Sequence, residues 1–186
     1  MSRITAINPS EATGEVKELL DAAQAKLGVT PNLMRTMAQS RAVLDAYLNF
    51  SNALGKGKLN AKVREQIALV SAEANQCGYC VAAHTIIGKM AGLSEDAILA
   101  AREASAEDAQ TDAALKFARA VIEKHCVVSD SDLQALKSAG FSEGEIAEVI
   151  ANVALNIFTN YFNETAKTEI DFPRVELPLK RNVGKA

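Results

Sequence analysis

Apolar residues recur at helical spacing along almost all of this 186-residue chain, and no segment alternates apolar and polar residues over a convincing strand length. That pattern constrains the fold most, because the apolar stripes must be buried helix against helix. Over 13–27, Val16, Leu19, Leu20, Ala23 and Leu27 form one stripe, closed by Gly28, and Pro31 opens a short helix over 31–38. Val43, Leu44, Tyr47, Leu48 and Leu54 mark 41–55, and Asn60 caps 61–76, whose stripe is Val63, Ile67, Val70 and Ala74. Gly78 separates this helix from one over 79–91. Ser94, followed by Glu95 and Asp96, caps a helix to about 104; others span 108–125 and run from Ser129 or Asp130 to Gly140. Ser142, with Glu145 at the capping-box spacing, starts the longest, to about 166. The expectation is an all-α bundle of about eight helices, one domain over 1–168.

Residues 169–186 hold two prolines and little helical period, so they are expected to form an extended arm. Ile170, Phe172, Val175, Leu177 and Leu179 are too apolar for a solvated tail. The arm is therefore expected to pack on its own domain or on a neighbouring subunit. Alanines such as Ala61, Ala68, Ala72, Ala82 and Ala83 permit close helix approach, inside the bundle or across an oligomer interface.

Charge excludes some partners. The 20 Lys and Arg are scattered, the net charge is −3, and no basic stripe with interleaved aromatics offers itself to nucleic acid. The start, MSRITAINPSEATGEV, lacks the apolar run of a secretory signal, and no stretch of roughly 18 apolar residues offers a membrane span. A cytoplasmic protein with neither membrane nor nucleic-acid partner is expected.

The chemistry concentrates in one stretch. Three cysteines are too few, and odd in number, for a disulfide framework. Two of them, Cys77 and Cys80, sit three residues apart at a helix junction marked by Asn75, Gln76 and Gly78. A helix start favours a thiolate through its free N–H groups and dipole. Cys80 and His84, four apart, share a helical face, so the imidazole can take the thiol proton. Spacing thus favours Cys80 as nucleophile and Cys77 as resolving partner.

A third group is a carboxylate. Glu65 interrupts a face otherwise built from Ala61, Ala68, Leu69 and Ala72, and a carboxylate there needs a partner, which His84 can supply. Glu73, flanked by Leu69, Val70 and Cys77, is a rival that pattern alone leaves open. Zinc is an alternative use, with Cys77, Cys80, His84 and Glu65 as ligands. His125 and Cys126 are adjacent and do not face one way on a helix, so Cys126 reads as a bystander thiol.

The run REQIALVSAEANQCGYCVAAH resembles the core signature of the carboxymuconolactone decarboxylase superfamily, in particular its alkylhydroperoxidase D (AhpD-like), peroxidase-related branch. The shared elements are a Glu, a CxxC beginning twelve positions later, and a His four residues after the second Cys. DLQALKSAGFSEGEIAEVIANVALNIFTNY also resembles that family's later helices. The resemblance implies an AhpD-like helical bundle that assembles as a homo-oligomer (dimer, trimer or hexamer) and reduces hydroperoxides without a cofactor. It implies recycling by an external dithiol protein, Cys80 as peroxidatic cysteine, Cys77 as resolving cysteine, and His84 with Glu65 as proton relay. One departure is visible: well-studied members carry a His between the cysteines, where this chain has Tyr79.

Overall fold

The computed structural model describes residues 2–179; the end of the expected arm, 180–186, lies outside the described residues. Nine helices form among them: α1 Gly14–Leu27, α2 Asn32–Met37, α3 Arg41–Leu54, α4 Ala61–Ala74, α5 Gly78–Met90, α6 Glu95–Arg102, α7 Ala109–Glu123, α8 Asp130–Ser138 and α9 Glu143–Ala166. The count exceeds the expected eight or so. No strand occurs among the described residues. The predicted caps are made: Asn60 accepts the Val63 N–H, Ser94 the Ala97 N–H, and Ser142 with Glu145 closes a capping box.

Helix α4 is the hub, packed against α5, α6, α7 and α9. Every residue from Gln66 to Glu73 is buried, so this helix is surrounded on all sides rather than striped. Alanines at 68, 72, 82, 101, 114 and 118 are buried and let neighbouring helices approach. One core cluster joins α4 to α6–α9 through Ile67, Leu69, Val70, Leu115, Leu136 and Val149. A second joins α1, α2, α3 and α5, and it includes both cysteines of the pair.

The chain after α9 is not helical. Its Ile170, Phe172, Val175 and Leu177 pack against the second cluster of their own domain. Arg102 donates to the Glu176 carbonyl at 2.6 Å, and the Leu179 N–H donates to Glu73 at 2.7 Å. No helix among the described residues is long and apolar enough to cross a membrane.

Candidate active site

The α4–α5 junction lies one residue earlier than glycine placement suggested. Helix α4 ends in a Schellman motif: the Cys77 N–H reaches the Ala72 carbonyl at 2.9 Å and the Gln76 N–H reaches Glu73 at 3.1 Å. Gln76 supplies the left-handed residue, φ 55°, a position that usually falls to glycine and that costs a non-glycine residue about 1 kcal/mol. Gly78 is the first residue of α5, not the break. Cys77 therefore ends one helix and caps the next, its Sγ accepting the Cys80 N–H at 3.3 Å. A turn this tight folds α5 back along α4, which brings a residue well before the turn next to one after it.

Those residues are Glu65 and His84. Glu65 Oε2 stands 2.7 Å from His84 Nδ1, both side chains partly buried. Burial alone disfavours charge on the imidazole, but the carboxylate and the Cys80 sulfur raise the His84 pKa above its ordinary value. The rival carboxylate is committed elsewhere: Glu73 Oε2 accepts from buried Arg102 at 2.8 Å.

The two cysteines are both buried and unbridged. Burial opposes charge at Cys80, yet the hydrogen bond with Cys77, the charge of His84 and the amides of Asn163 and Asn160 lower its thiol to about 7. The hydrogen bond to Cys80, then burial, then the Cys80 charge push Cys77 far above the ordinary thiol range. The shared negative charge thus resides on Cys80.

Cys80, His84 and Glu65 open onto a cavity of about 280 Å³ between α1–α3 and α4, α5 and α9, with apolar walls including Leu48, Leu54, Ile87 and Leu155. Tyr47 also lines it; burial, then the charges of Cys80 and Glu65, push its phenol up to about 12, so it stays a neutral O–H group. Cys126 lies exposed beyond the end of α7, apart from this site. No group of three or more His, Cys, Asp and Glu comes together to hold a metal among the described residues, so the zinc set is not assembled.

Residues 41–124 match the Carboxymuconolactone decarboxylase family. That stretch, which holds Glu65, Cys77, Cys80 and His84, is what this chain has in common with the family. Its fold is AhpD-like. An uncharacterized peroxidase-related protein from Ralstonia eutropha, described as an alkylhydroperoxidase AhpD core, superposes with a TM-score of 0.83 at 24% identity, over 91% of this chain and 92% of that one. A peroxidase-related protein from a Silicibacter species gives 0.80 at 22% identity, covering 90% and 91%. The debrominase Bmp8, solved with 2,3,4-tribromopyrrole, gives 0.79 at 21% identity, covering 92% of each chain. No curated protein matches the chain.

Within this AhpD-like frame, Tyr79 is turned to the scaffold. Its phenol oxygen accepts the Leu33 N–H at 3.1 Å, in the first turn of α2, and its ring meets Phe172 of the arm edge-on at 5.6 Å. The cavity wall from α9 is mostly polar and not aromatic. Phe158 and Tyr161 are exposed, Phe162 packs in the core, and the wall is Asn152, Leu155, Asn156, Thr159 and Asn163. Asn163 donates its side-chain amide to Cys80 Sγ at 3.3 Å. Sequence reasoning missed these polar residues, although asparagines at 152, 156, 160 and 163 recur at helical spacing within an apolar helix.

Proposed function

We propose that this chain reduces hydroperoxides with the Cys77–Cys80 dithiol and a Glu65–His84 proton relay, and that an external dithiol protein recycles it. The observation that carries this reading is the 2.7 Å contact of Glu65 with His84, beside a cysteine lowered to about 7 in a cavity of substrate size. His84 accepts the Cys80 proton, and Glu65 stabilises the imidazolium. The thiolate attacks the terminal oxygen of ROOH, so that an S–O bond forms and the O–O bond breaks. The alkoxide leaves as ROH with the proton held by His84, and Cys80 becomes a sulfenic acid. The Cys77 thiol then attacks that sulfur, an S–S bond forms, and the hydroxyl leaves with the Cys77 proton as water. Two electrons from the external dithiol restore the pair by exchange.

The burial of both cysteines favours a second reading, in which one oxidation is stored as a redox signal with little turnover. The fold shared with a debrominase adds a further electrophile, a brominated pyrrole, to the substrates worth presenting. We further propose a cytoplasmic homo-oligomer (dimer, trimer or hexamer). Exposed Ile87, Met90, Phe158 and Tyr161 supply apolar surface for a second copy.

The deciding experiment is hydroperoxide reduction with a panel of dithiol donors, comparing wild type with Cys80→Ser and Glu65→Gln. Catalytic consumption lost in Cys80→Ser supports the peroxidase. Full turnover in Cys80→Ser sinks it, and strictly stoichiometric oxidation of wild type selects the sensor.

A further inference from the structure

Helix α9 buries Asn152, Asn156, Thr159, Asn160 and Asn163 in its run toward the dithiol. Buried amides are costly unless their hydrogen bonds are made. Three of the five turn inward on their own helix: Asn152 donates to the Glu148 carbonyl at 2.8 Å, Asn156 to Asn152 at 2.8 Å, and the Thr159 hydroxyl to Asn156 at 3.0 Å. The other two do not. Asn160 accepts from Asn75 at 2.9 Å, which leaves its own NH₂ group buried without a partner. Asn163 donates to Cys80 Sγ at 3.3 Å, which leaves its carbonyl buried without a partner. These side chains are 0% and 2% exposed, so solvent does not satisfy them.

We propose that Asn160 and Asn163 form a cradle for the reacting sulfur: two amide NH₂ groups hold the Cys80 thiolate, and the Asn163 carbonyl receives the O–H of the incoming hydroperoxide. The donor half stands on the 3.3 Å Asn163–Cys80 contact and on the unpartnered buried NH₂ group of Asn160; the acceptor half rests on the function proposed above. Fixed NH₂ donors favour a thiolate over a thiol, because only the charged sulfur accepts strongly. A carbonyl beside a thiolate has the opposite need, for an O–H donor, and the terminal hydroxyl of ROOH is one. As the thiolate gives its electron pair to that oxygen, the S–O bond forms and the O–O bond breaks. The departing alkoxide takes the His84 proton. The transferred oxygen keeps its own hydrogen, so Asn163 passes from holding ROO–H to holding the S–OH of Cys80. The substrate class follows: peroxides with an O–H on the attacked oxygen, and not dialkyl peroxides.

The titratable groups facing Cys80 are Cys77, Tyr79 and His84 of its own segment and Tyr47 from α3, with Glu65 of α4 behind His84 and Glu164 of α9 beside Cys77. The test uses the full chain carrying Cys126→Ser, which removes the exposed thiol. Iodoacetamide labelling of Cys80, mapped by mass spectrometry across pH, reports its thiolate without any peroxide. The labelling midpoint should rise by about one unit in Asn163→Ala, and further in the isosteric Asn163→Asp, the scale of a lost hydrogen bond to a charged group. Oxidation of Cys80 by tert-butyl hydroperoxide, read as sulfenic acid plus Cys77–Cys80 disulfide and taken per thiolate, should fall at least tenfold in Asn163→Ala while labelling per thiolate holds. Circular dichroism identifies any variant that has not folded, and Asn163→Asp, which keeps the side-chain shape, then decides. An unchanged midpoint in the folded variants overturns the donor half. A peroxide rate that falls only in step with the thiolate fraction overturns the acceptor half. A wild-type chain that forms neither the Cys80 sulfenic acid nor the Cys77–Cys80 disulfide overturns the functional reading and the acceptor half together, while the midpoint still decides the donor half.

Discussion

Glu65 and His84, on antiparallel helices joined by a three-residue turn, meet at 2.7 Å. This contact holds the imidazole by one nitrogen and leaves the other free for proton transfer. The carboxylate acts through the histidine, so Glu65 is a positioning residue. Glu65→Gln is expected to lower hydroperoxide turnover roughly 10–100-fold, below or at the lower end of the ~10²–10⁴ that general-base help supplies, because the histidine itself remains. It also removes the charge that raises the His84 pKa, so that pKa should fall. Steady-state rates and an NMR titration of the imidazole check both; an unmoved His84 titration would count against the relay.

A pH profile follows from Cys80. Its thiol sits at about 7, so reaction with an electrophile should rise with pH through that value and level off above it. The sign follows from the charged form being the nucleophile. Two units below the midpoint the thiolate is about 1% populated, so the rate should be ~100-fold below its plateau. Cys77→Ala removes the sulfur's leading hydrogen-bond donor and should move the midpoint upward. Stopped-flow alkylation across pH measures both shifts.

Glu73 and Arg102 are expected to matter for stability and arm placement. Their 2.8 Å ion pair is buried, and through Glu176 and Leu179 it clasps the chain after α9. Removing one partner of a buried pair costs about 3–5 kcal/mol. Glu73→Ala should therefore lower the urea midpoint sharply and open 169–179 to limited proteolysis. An arm as protease-resistant as wild type would refute the clasp.

Tyr79→Phe should cost about 1 kcal/mol, the value of a hydrogen bond whose partner, the Leu33 N–H, is left buried. Since the phenol is turned to α2 and the arm, the Cys80 labelling midpoint should stay within about 0.2 of wild type. Equilibrium denaturation and labelling, run together, separate scaffold from chemistry.

Much of this was legible in residues alone. Helix positions, the caps at Asn60, Ser94 and Ser142, and the common face of Cys80 and His84 are local properties. They follow from a 3.6-residue period and from which side chains satisfy free N–H groups at helix starts. Local rules failed at Gln76, where a non-glycine residue takes the left-handed position because the turn between two packed helices demands it. The face that α9 turns to the cavity was not legible for a related reason, since periodicity says which residues share a stripe and not which stripe meets the cavity.

What only the tertiary structure decided is partnership. Glu65 and Glu73 lie two turns apart on one helix and look alike in pattern, yet one meets His84 and the other Arg102. That division is set by packing: α4 meets both α5, which carries His84, and α6, which carries Arg102. The same holds for Asn163, 83 residues from Cys80 in sequence and 3.3 Å from its sulfur in space. The sequence by itself determined the helices and the reactive pair, because those depend on neighbours along the chain. The environment that makes one cysteine the thiolate comes from α4, α5 and α9 closing around it, and burial strengthens every charge and hydrogen bond enclosed there.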